Sequence, residues 1–283
     1  MNVDDYRKAY AAELEKQKQS GATSEFTTMS AAGPSGSTPS SAPDAIAGEI
    51  GFFRDPTQTA DARLAALRNV QTATFMGPGF DRYRSAFRDA LRAVATNDSD
   101  QKLRAAALEL LAMDKDEVAR QLLVRGIDDV HHAIVPLAKA IQLLAFDDHG
   151  PIITVARKIM GGNFDVDAKE EALRALASDP GADHIFAGIL SDRSQPKQLR
   201  SISASGLRAV SPQRFEQVAR SIVLNENEDS DVRAECLGAL NHLRGYAAKV
   251  DQGFADALSN LDLTGKSAGL RAAAERFLRR KLD

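Results

Sequence analysis

Residues 230–240, SDVRAECLGAL, decide the fold of this 283-residue chain. Their basic residue, Arg233, is followed by leucines four and seven places later, at Leu237 and Leu240. This spacing puts the three side chains on one face of a helix, because an α-helix turns once every ~3.6 residues. The stretch therefore predicts an amphipathic helix with a buried leucine stripe.

The same pattern, a basic residue with apolar residues four and seven places on, recurs along the chain. It is led by Arg63, Arg104, Lys139, Lys169, Arg200, Arg233 and, less regularly because only Leu278 follows in place, by Arg271. These residues lie 41, 35, 30, 31, 33 and 38 positions apart. Further helical stretches precede them at 81–94, 116–126, 152–160, 182–190, 214–224 and 247–261. A period of this length is typical of helix pairs that bury their apolar faces by stacking on their neighbours.

Helix-stopping residues separate these stretches. Clusters of Asn, Asp, Ser, Gly and Pro lie at 97–100, 147–151, 161–163, 178–181 and 211–212. Such residues end one helix and cap the next. The chain lacks the runs of consecutive β-branched residues that a sheet needs, so the pattern predicts an all-α protein.

Two of the repeated stretches, 230–240 and 100–108, resemble the second helix of HEAT repeats. The pairs Asp100/Arg104, Asp167/Lys169 and Asp231/Arg233 are similar to the Asp and Arg that recur in that family. The resemblance implies a right-handed α-solenoid of about seven HEAT-like hairpins over residues 44–283. Tetratricopeptide repeats are the alternative. That family keeps a strict period and a large aromatic residue early in its first helix, whereas the spacings here vary from 30 to 41 and Trp is absent.

The first 43 residues differ from the rest in composition. Residues 1–19 predict a short amphipathic helix, because Val3, Tyr6, Tyr10 and Leu14 recur at three- or four-residue steps. Residues 20–43 are rich in Ser, Thr, Gly, Ala and Pro and predict a flexible linker. The helix could thus dock on its own chain or on another molecule.

The charge and composition of the chain argue against several classes of partner and location. The net charge of −3 lacks the basic excess that binding to a nucleic-acid backbone usually requires, although the basic last helix keeps that alternative open. The start of the sequence does not match a secretory signal, and no run of about 18 apolar residues predicts a membrane span. Together with the single cysteine, Cys236, these features predict a cytoplasmic protein.

No set of residues predicts a catalytic centre. The best metal candidate is the group Asp128, His131, His132, Asp147 and His149, but both parts of it fall in predicted turns, where Asp caps and His is solvated. Cys236 precedes a predicted core leucine, which favours a packing role. Residues 75–80, FMGPGF, lack the Lys and Ser/Thr of a phosphate loop and predict a turn. We therefore expect no cofactor and no enzymatic activity.

Some enzymes are also built on HEAT-like repeats, and each class has residues that this sequence can be checked for. Deoxyhypusine hydroxylases hold iron with His-Glu dipeptides, and this sequence has none. Helical-repeat DNA glycosylases use a basic face rich in Trp, which is absent here. The predicted solenoid also resembles that of phycobilin lyases, but no residues of this sequence indicate a pigment site. An enzyme or enzyme subunit of the lyase or metal-dependent kind therefore stays the alternative function.

In HEAT proteins the second helices line the concave face, so the resemblance implies a recognition surface at their non-core positions. These positions lie five and eight places after the leading basic residue. We predict that they bind another protein through Arg68, Gln71, Glu109, Arg174, Arg208, Asn241, Arg276 and Arg279. The predicted function is a protein-binding scaffold or adaptor, with the tethered N-terminal helix as a second contact.

Overall fold

A computed structural model describes residues 42–147, 150–243, 252–260 and 267–279. Every regular element in these ranges is helical, and they contain no strand, which confirms the predicted all-α class. No helix in them is both long and apolar enough to cross a bilayer. The predicted N-terminal helix with Val3, Tyr6, Tyr10 and Leu14 lies outside the described residues, as does the linker up to residue 41.

The chain forms two compact units, of which the first ends at Asp114. Its described part comprises helices α1 (Ala42–Arg54), α2 (Ala60–Ala73), α3 (Arg84–Asn97) and α4 (Gln101–Met113), with a 3-10 segment at Thr74–Tyr83 between α2 and α3. Helix α1 packs on α2, α3 packs on α4, and the second helices α2 and α4 also touch. Helix α1 begins two residues inside the predicted linker, because a helix tolerates proline in its first turn, where Pro43 lies.

The second unit begins at Lys115. Its helices are α5 (Glu117–Asp128), α6 (Leu137–Leu144), α7 (Ile152–Gly161), α8 (Val166–Leu176), α9 (Asp183–Ser191), α10 (Lys197–Val210), α11 (Pro212–Leu224), α12 (Ser230–Leu243), α13 (Gln252–Ser259) and α14 (Ala268–Arg279). Consecutive helices pack in pairs from α5–α6 to α13–α14. The second helices α6, α8, α10, α12 and α14 also contact one another in that order. Short 3-10 turns lie at Val130–His132 and Pro180–Ala182.

The predicted leucine stripes form the core of both units. The stripe residues that lie buried are Leu67, Val70, Leu108, Leu111, Leu143, Phe146, Leu173, Leu176, Ala204, Leu207, Leu237 and Leu240. The last helix is the exception, since Leu278 is only half-buried. Helix α14 instead buries Leu270, Ala273, Ala274 and Phe277, so its apolar face is rotated by one residue from the predicted one.

Arginines on second helices join the two helices of a pair. In four pairs the Nε of the arginine donates a hydrogen bond to a carbonyl near the end of the preceding helix. These arginine bridges are Arg63 to Phe53 (2.9 Å), Arg104 to Ala95 (3.0 Å), Arg200 to Leu190 (3.0 Å) and Arg233 to Val223 (2.9 Å). The last carbonyls of a helix have no partner within that helix, so each bridge satisfies a group that packing would otherwise leave unpaired.

Two of these arginines also bind an acid from the loop of the following pair. The guanidinium of Arg63 pairs with Asp98, which precedes α4, and that of Arg200 pairs with Glu228, which precedes α12. Arg233 differs, because its terminal nitrogens are buried and have no hydrogen-bond partner within the described ranges. Burial lowers the pKa of Arg233 from its ordinary value. The recurrent arginine therefore ties a helix pair together in four places and ties neighbouring pairs together in two.

Candidate protein-binding groove

A groove of about 390 Å³ lies between α2 and α4 in the first unit. Leu64 and Leu67 of α2 and Leu110 of α4 give it apolar walls. On α4 it is also lined by Ala105 and Ala106, whose small side chains leave room between the two helices. The groove is partly open to solvent rather than enclosed, which suits a protein segment better than an enclosed small molecule.

Three residues that the sequence predicts for partner binding line this groove together. Arg68 and Gln71 come from α2, and Glu109 comes from α4. Helical geometry explains the coincidence, because positions five and eight after Arg63 flank the buried stripe of Leu67 and Val70 rather than belonging to it. Glu109 occupies the first of these positions after Arg104.

The polar rim of the groove carries more positive than negative charge. Arg68 and Lys102 are both exposed, and neither forms a hydrogen bond or an ion pair with any residue in the described part of the chain. Glu109 is the one acid among the groove residues. Lys102 is not among the predicted binding residues, although its place seven residues before Glu109, on the same face of α4, was a usable signal. The rim therefore offers two cations to an acidic ligand.

The other predicted binding residues lie on helices of the second unit and do not line the α2–α4 groove. Arg174 pairs within its own helix with Glu170 at 2.8 Å and with Glu171. Arg208 of α10 is half-buried. Asn241 donates from Nδ2 to the Ala273 carbonyl at 3.5 Å, which links α12 to α14.

The last two predicted residues lie on the surface of α14. Arg276 Nε donates to the Ala272 carbonyl of its own helix at 3.2 Å. Arg279 Nη2 lies 3.7 Å from Glu275 Oε2, and the Arg279 side chain is 81% exposed.

The residues of the metal candidate take part in separate pairs. Asp128 binds Lys158 Nζ at 2.6 Å, Asp147 binds Arg120 at 3.0 Å, and His132 Nδ1 lies 2.9 Å from Asp129 Oδ2. His149 lies outside the described ranges. Within those ranges, no three His, Cys, Asp or Glu side chains meet in a geometry that could hold a metal.

Some of these residues line a second cleft, of about 730 Å³, in the second unit. Its acids Asp128 and Asp129 are engaged by Lys158 and His132, and Arg120 is engaged by Asp147. Hydrogen bonds to the His131 backbone and to His132 keep the pKa of Asp129 below its ordinary value. Exposed Arg125 is the one charged residue lining this cleft without an ion pair in the described ranges, whereas the α2–α4 groove has two such cations. The cleft is therefore the weaker candidate for an acidic ligand, although it is larger.

Cys236 lies in the core of α12. Its side chain is fully buried, and burial raises the pKa of the thiol to about 12. Because the thiolate is the nucleophilic form, a thiol with this pKa is unreactive at neutral pH. The finding fits the packing role predicted from its place beside Leu237.

Comparison with known proteins leaves the family unassigned. No family model matches the sequence, and no curated protein matches it. Among solved structures, the chain is similar to human deoxyhypusine hydroxylase in complex with glycerol. The two share 14% sequence identity over 83% of this chain and 95% of that chain, with a TM-score of 0.36, and a similarity this low carries no argument about fold or function.

Proposed function

We propose that the chain is a HEAT-like repeat protein that acts as a non-catalytic scaffold and binds a partner protein through the groove between α2 and α4. One observation carries the proposal. Residues predicted from the repeat pattern alone, Arg68, Gln71 and Glu109, line an apolar groove whose two cations have no counter-ion in the described ranges. A surface cation next to open apolar area favours a ligand that supplies both a carboxylate and an apolar side chain.

The ligand that best fits this groove is an acidic amphipathic helix. Its apolar side chains would lie against Leu64, Leu67 and Leu110, while its carboxylates would face Arg68 and Lys102. Apolar contacts at the centre and charges at the rim are the usual arrangement of a helix-in-groove interface. The proposed setting is the cytoplasm, where the single cysteine needs no disulfide partner.

The N-terminal segment is a second part of the proposal. A helix over residues 1–19 on a flexible tether would add a second contact to the same partner through Val3, Tyr6, Tyr10 and Leu14. A tethered contact raises the effective concentration of the first one without any new residue in the groove. In the full chain, Tyr6→Ala with Tyr10→Ala is then expected to weaken capture of the partner without altering the groove.

The test uses the full-length chain and a labelled helical peptide of about 20 residues with Leu at i, i+3 and i+7 and Glu at most other positions. Fluorescence anisotropy is expected to show binding that weakens about tenfold or more when Arg68→Glu and Lys102→Glu are combined. Arg54→Glu is the matched control, since Arg54 is an exposed residue of α1 that does not line the groove. Equal binding by the double variant and the control would contradict the proposal, as would equal binding of a Lys-for-Glu peptide.

A further inference from the structure

The 3-10 segment Thr74–Tyr83, which follows α2 directly, exposes two large apolar side chains. Phe75 is 80% exposed and Met76 is 57% exposed. Short links of a few residues suffice to connect neighbouring helices, and only one residue, Ser211, separates α10 from α11. The ten residues of this segment are therefore longer than a connection requires.

The segment is held firmly by its second half. Phe80 is buried and meets Phe87 edge to face at a centroid distance of 5.8 Å, and Phe87 meets Phe53 in the same way at 6.0 Å. Tyr83 is buried beside Phe80. Gly77 takes a φ of 64°, which reverses the chain between the exposed and the buried aromatic residues and which a residue with a Cβ rarely adopts. Buried aromatic contacts therefore fix the backbone that follows the exposed pair.

The exposed pair follows directly on the end of α2, which forms one wall of the groove. Leu64, Arg68 and Gln71 of α2 line the groove, and Phe75 comes four residues after Gln71, in the first turn of the 3-10 segment. The Thr74 hydroxyl donates to the Gln71 carbonyl at 2.6 Å and keeps the segment close to the end of α2. An apolar patch that extends a groove enlarges the surface a partner can cover.

The surroundings of the pair are positively charged. Exposed Arg82 and Arg88 follow it, and the Arg82 guanidinium stacks over the Tyr83 ring at 4.9 Å. Arg88 forms no ion pair or hydrogen bond with any residue in the described part of the chain. The acids of the same stretch, Asp81 and Asp89, are paired with Arg84 and Arg92, so Arg82 and Arg88 favour the same acidic ligand chemistry as the groove.

We infer that Phe75 and Met76 are the apolar anchor of the partner-binding surface and that they pack against a large apolar side chain of an acidic amphipathic segment in the partner protein. The inference rests on the proposed function and extends it from the groove to the segment Thr74–Tyr83. A few large side chains at the centre of an interface usually dominate its binding energy, and arginine is enriched among them. The groove then supplies orientation, and the anchor supplies most of the affinity.

The experiment compares full-length variants in the anisotropy assay with the acidic amphipathic peptide. Phe75→Ser is expected to weaken binding about tenfold or more, and Met76→Ser is expected to weaken it by a smaller factor. Val130→Ser is the matched control, because Val130 is 77% exposed and belongs to the second unit. Unchanged melting temperatures would show that each variant folds.

The outcomes separate this inference from the proposed function. If Arg68→Glu with Lys102→Glu weakens binding and Phe75→Ser does not, the anchor is wrong and the groove stands. If neither change matters, or if the wild-type chain does not bind the peptide, both are wrong. A parallel assay uses vesicles rich in phosphatidylserine, and binding to them that requires Phe75, with peptide binding unaffected, would assign the pair to a membrane surface and overturn the inference.

Discussion

Arg200 and Glu228 form a buried two-point ion pair that ties α10 to the loop before α12. Nη1 lies 2.9 Å from Oε1 and Nη2 lies 2.7 Å from Oε2, and each side chain is only 3% exposed. The same guanidinium bridges to the Leu190 carbonyl of α9. Arg200 thus joins α9, α10 and the loop before α12, and removing either charge leaves the other buried without a counter-ion.

Glu228→Gln is expected to lower the free energy of unfolding by about 3–5 kcal/mol, because it leaves the Arg200 charge buried and uncompensated. Glu275→Gln removes an acid of α14 whose pair with Arg279 is exposed, and it should change the free energy of unfolding by less than about 1 kcal/mol. Urea unfolding followed by circular dichroism measures both. Equal losses in the two variants would show that the pair does not stabilise the fold.

The same pair predicts an acid-sensitive contribution to stability. The hydrogen bonds from Arg200 hold the pKa of Glu228 below its ordinary value of 4.5. A carboxyl with a lowered pKa in the folded state stabilises the protein fully above 4.5, and this stabilisation is lost as the pH falls through the folded-state pKa. The difference in unfolding free energy between wild type and Glu228→Gln should be constant from pH 7 to about pH 5 and shrink below that. A difference that grows on acidification would contradict the assignment.

Arg233→Met is expected to cost less stability than Arg200→Met. The variant loses one hydrogen bond, to the Val223 carbonyl, and also removes a buried cation whose terminal nitrogens have no hydrogen-bond partner within the described ranges. We expect Arg233→Met to lower the free energy of unfolding by about 1–2 kcal/mol. Arg200→Met, which leaves Glu228 buried without its counter-ion, should lower it by about 3–5 kcal/mol. Urea unfolding of the two variants side by side decides it, and equal losses would mean that Arg233 has a counter-ion.

Two glycines on second helices should respond in opposite ways to a methyl group. A Cβ on Gly206 would lie 2.6 Å from Cζ of the buried Phe186, so Gly206→Ala should destabilise the fold by about 1–3 kcal/mol. A Cβ on Gly238 meets nothing within 4 Å, so Gly238→Ala should stabilise α12 by about 0.5–1 kcal/mol through helix propensity. Thermal unfolding measures both, and a loss at Gly238 of the size seen at Gly206 would overturn the packing argument.

Cys236 should be unreactive towards a thiol reagent in the folded protein. Its side chain is buried and its pKa is raised to about 12 by burial, so neither access nor thiolate is available at pH 7. With Ellman's reagent, the absorbance that reports a reacting thiol should rise only after urea unfolds the protein. Ser205→Cys, at an exposed position of α10, is the reactive control. Rapid reaction of the wild-type chain in buffer would be incompatible with the core position.

The amino-acid sequence by itself determined the helical class and the position of nearly every second helix. The spacing of a basic residue and two apolar residues is a local property, and a helix with one apolar face must bury it. Arg63, Leu67 and Val70 therefore belong to one helix however the rest of the chain folds. The same local logic placed Arg68 and Gln71 beside the core stripe.

The tertiary structure decided which of those residues meet and which are engaged elsewhere. Arg174 was as good a candidate as Arg68 by spacing, but Glu170 and Glu171 bind it, whereas Arg68 faces a groove with no acid bound to it in the described ranges. Phe75 is exposed while Phe80 is buried against Phe87, a contact that joins the predicted turn 75–80 to the predicted helical stretch 81–94 and that neither pattern indicated. Helix periodicity fixes which side of a helix a residue occupies, but the neighbour across that side comes from another helix, and only packing brings the two together.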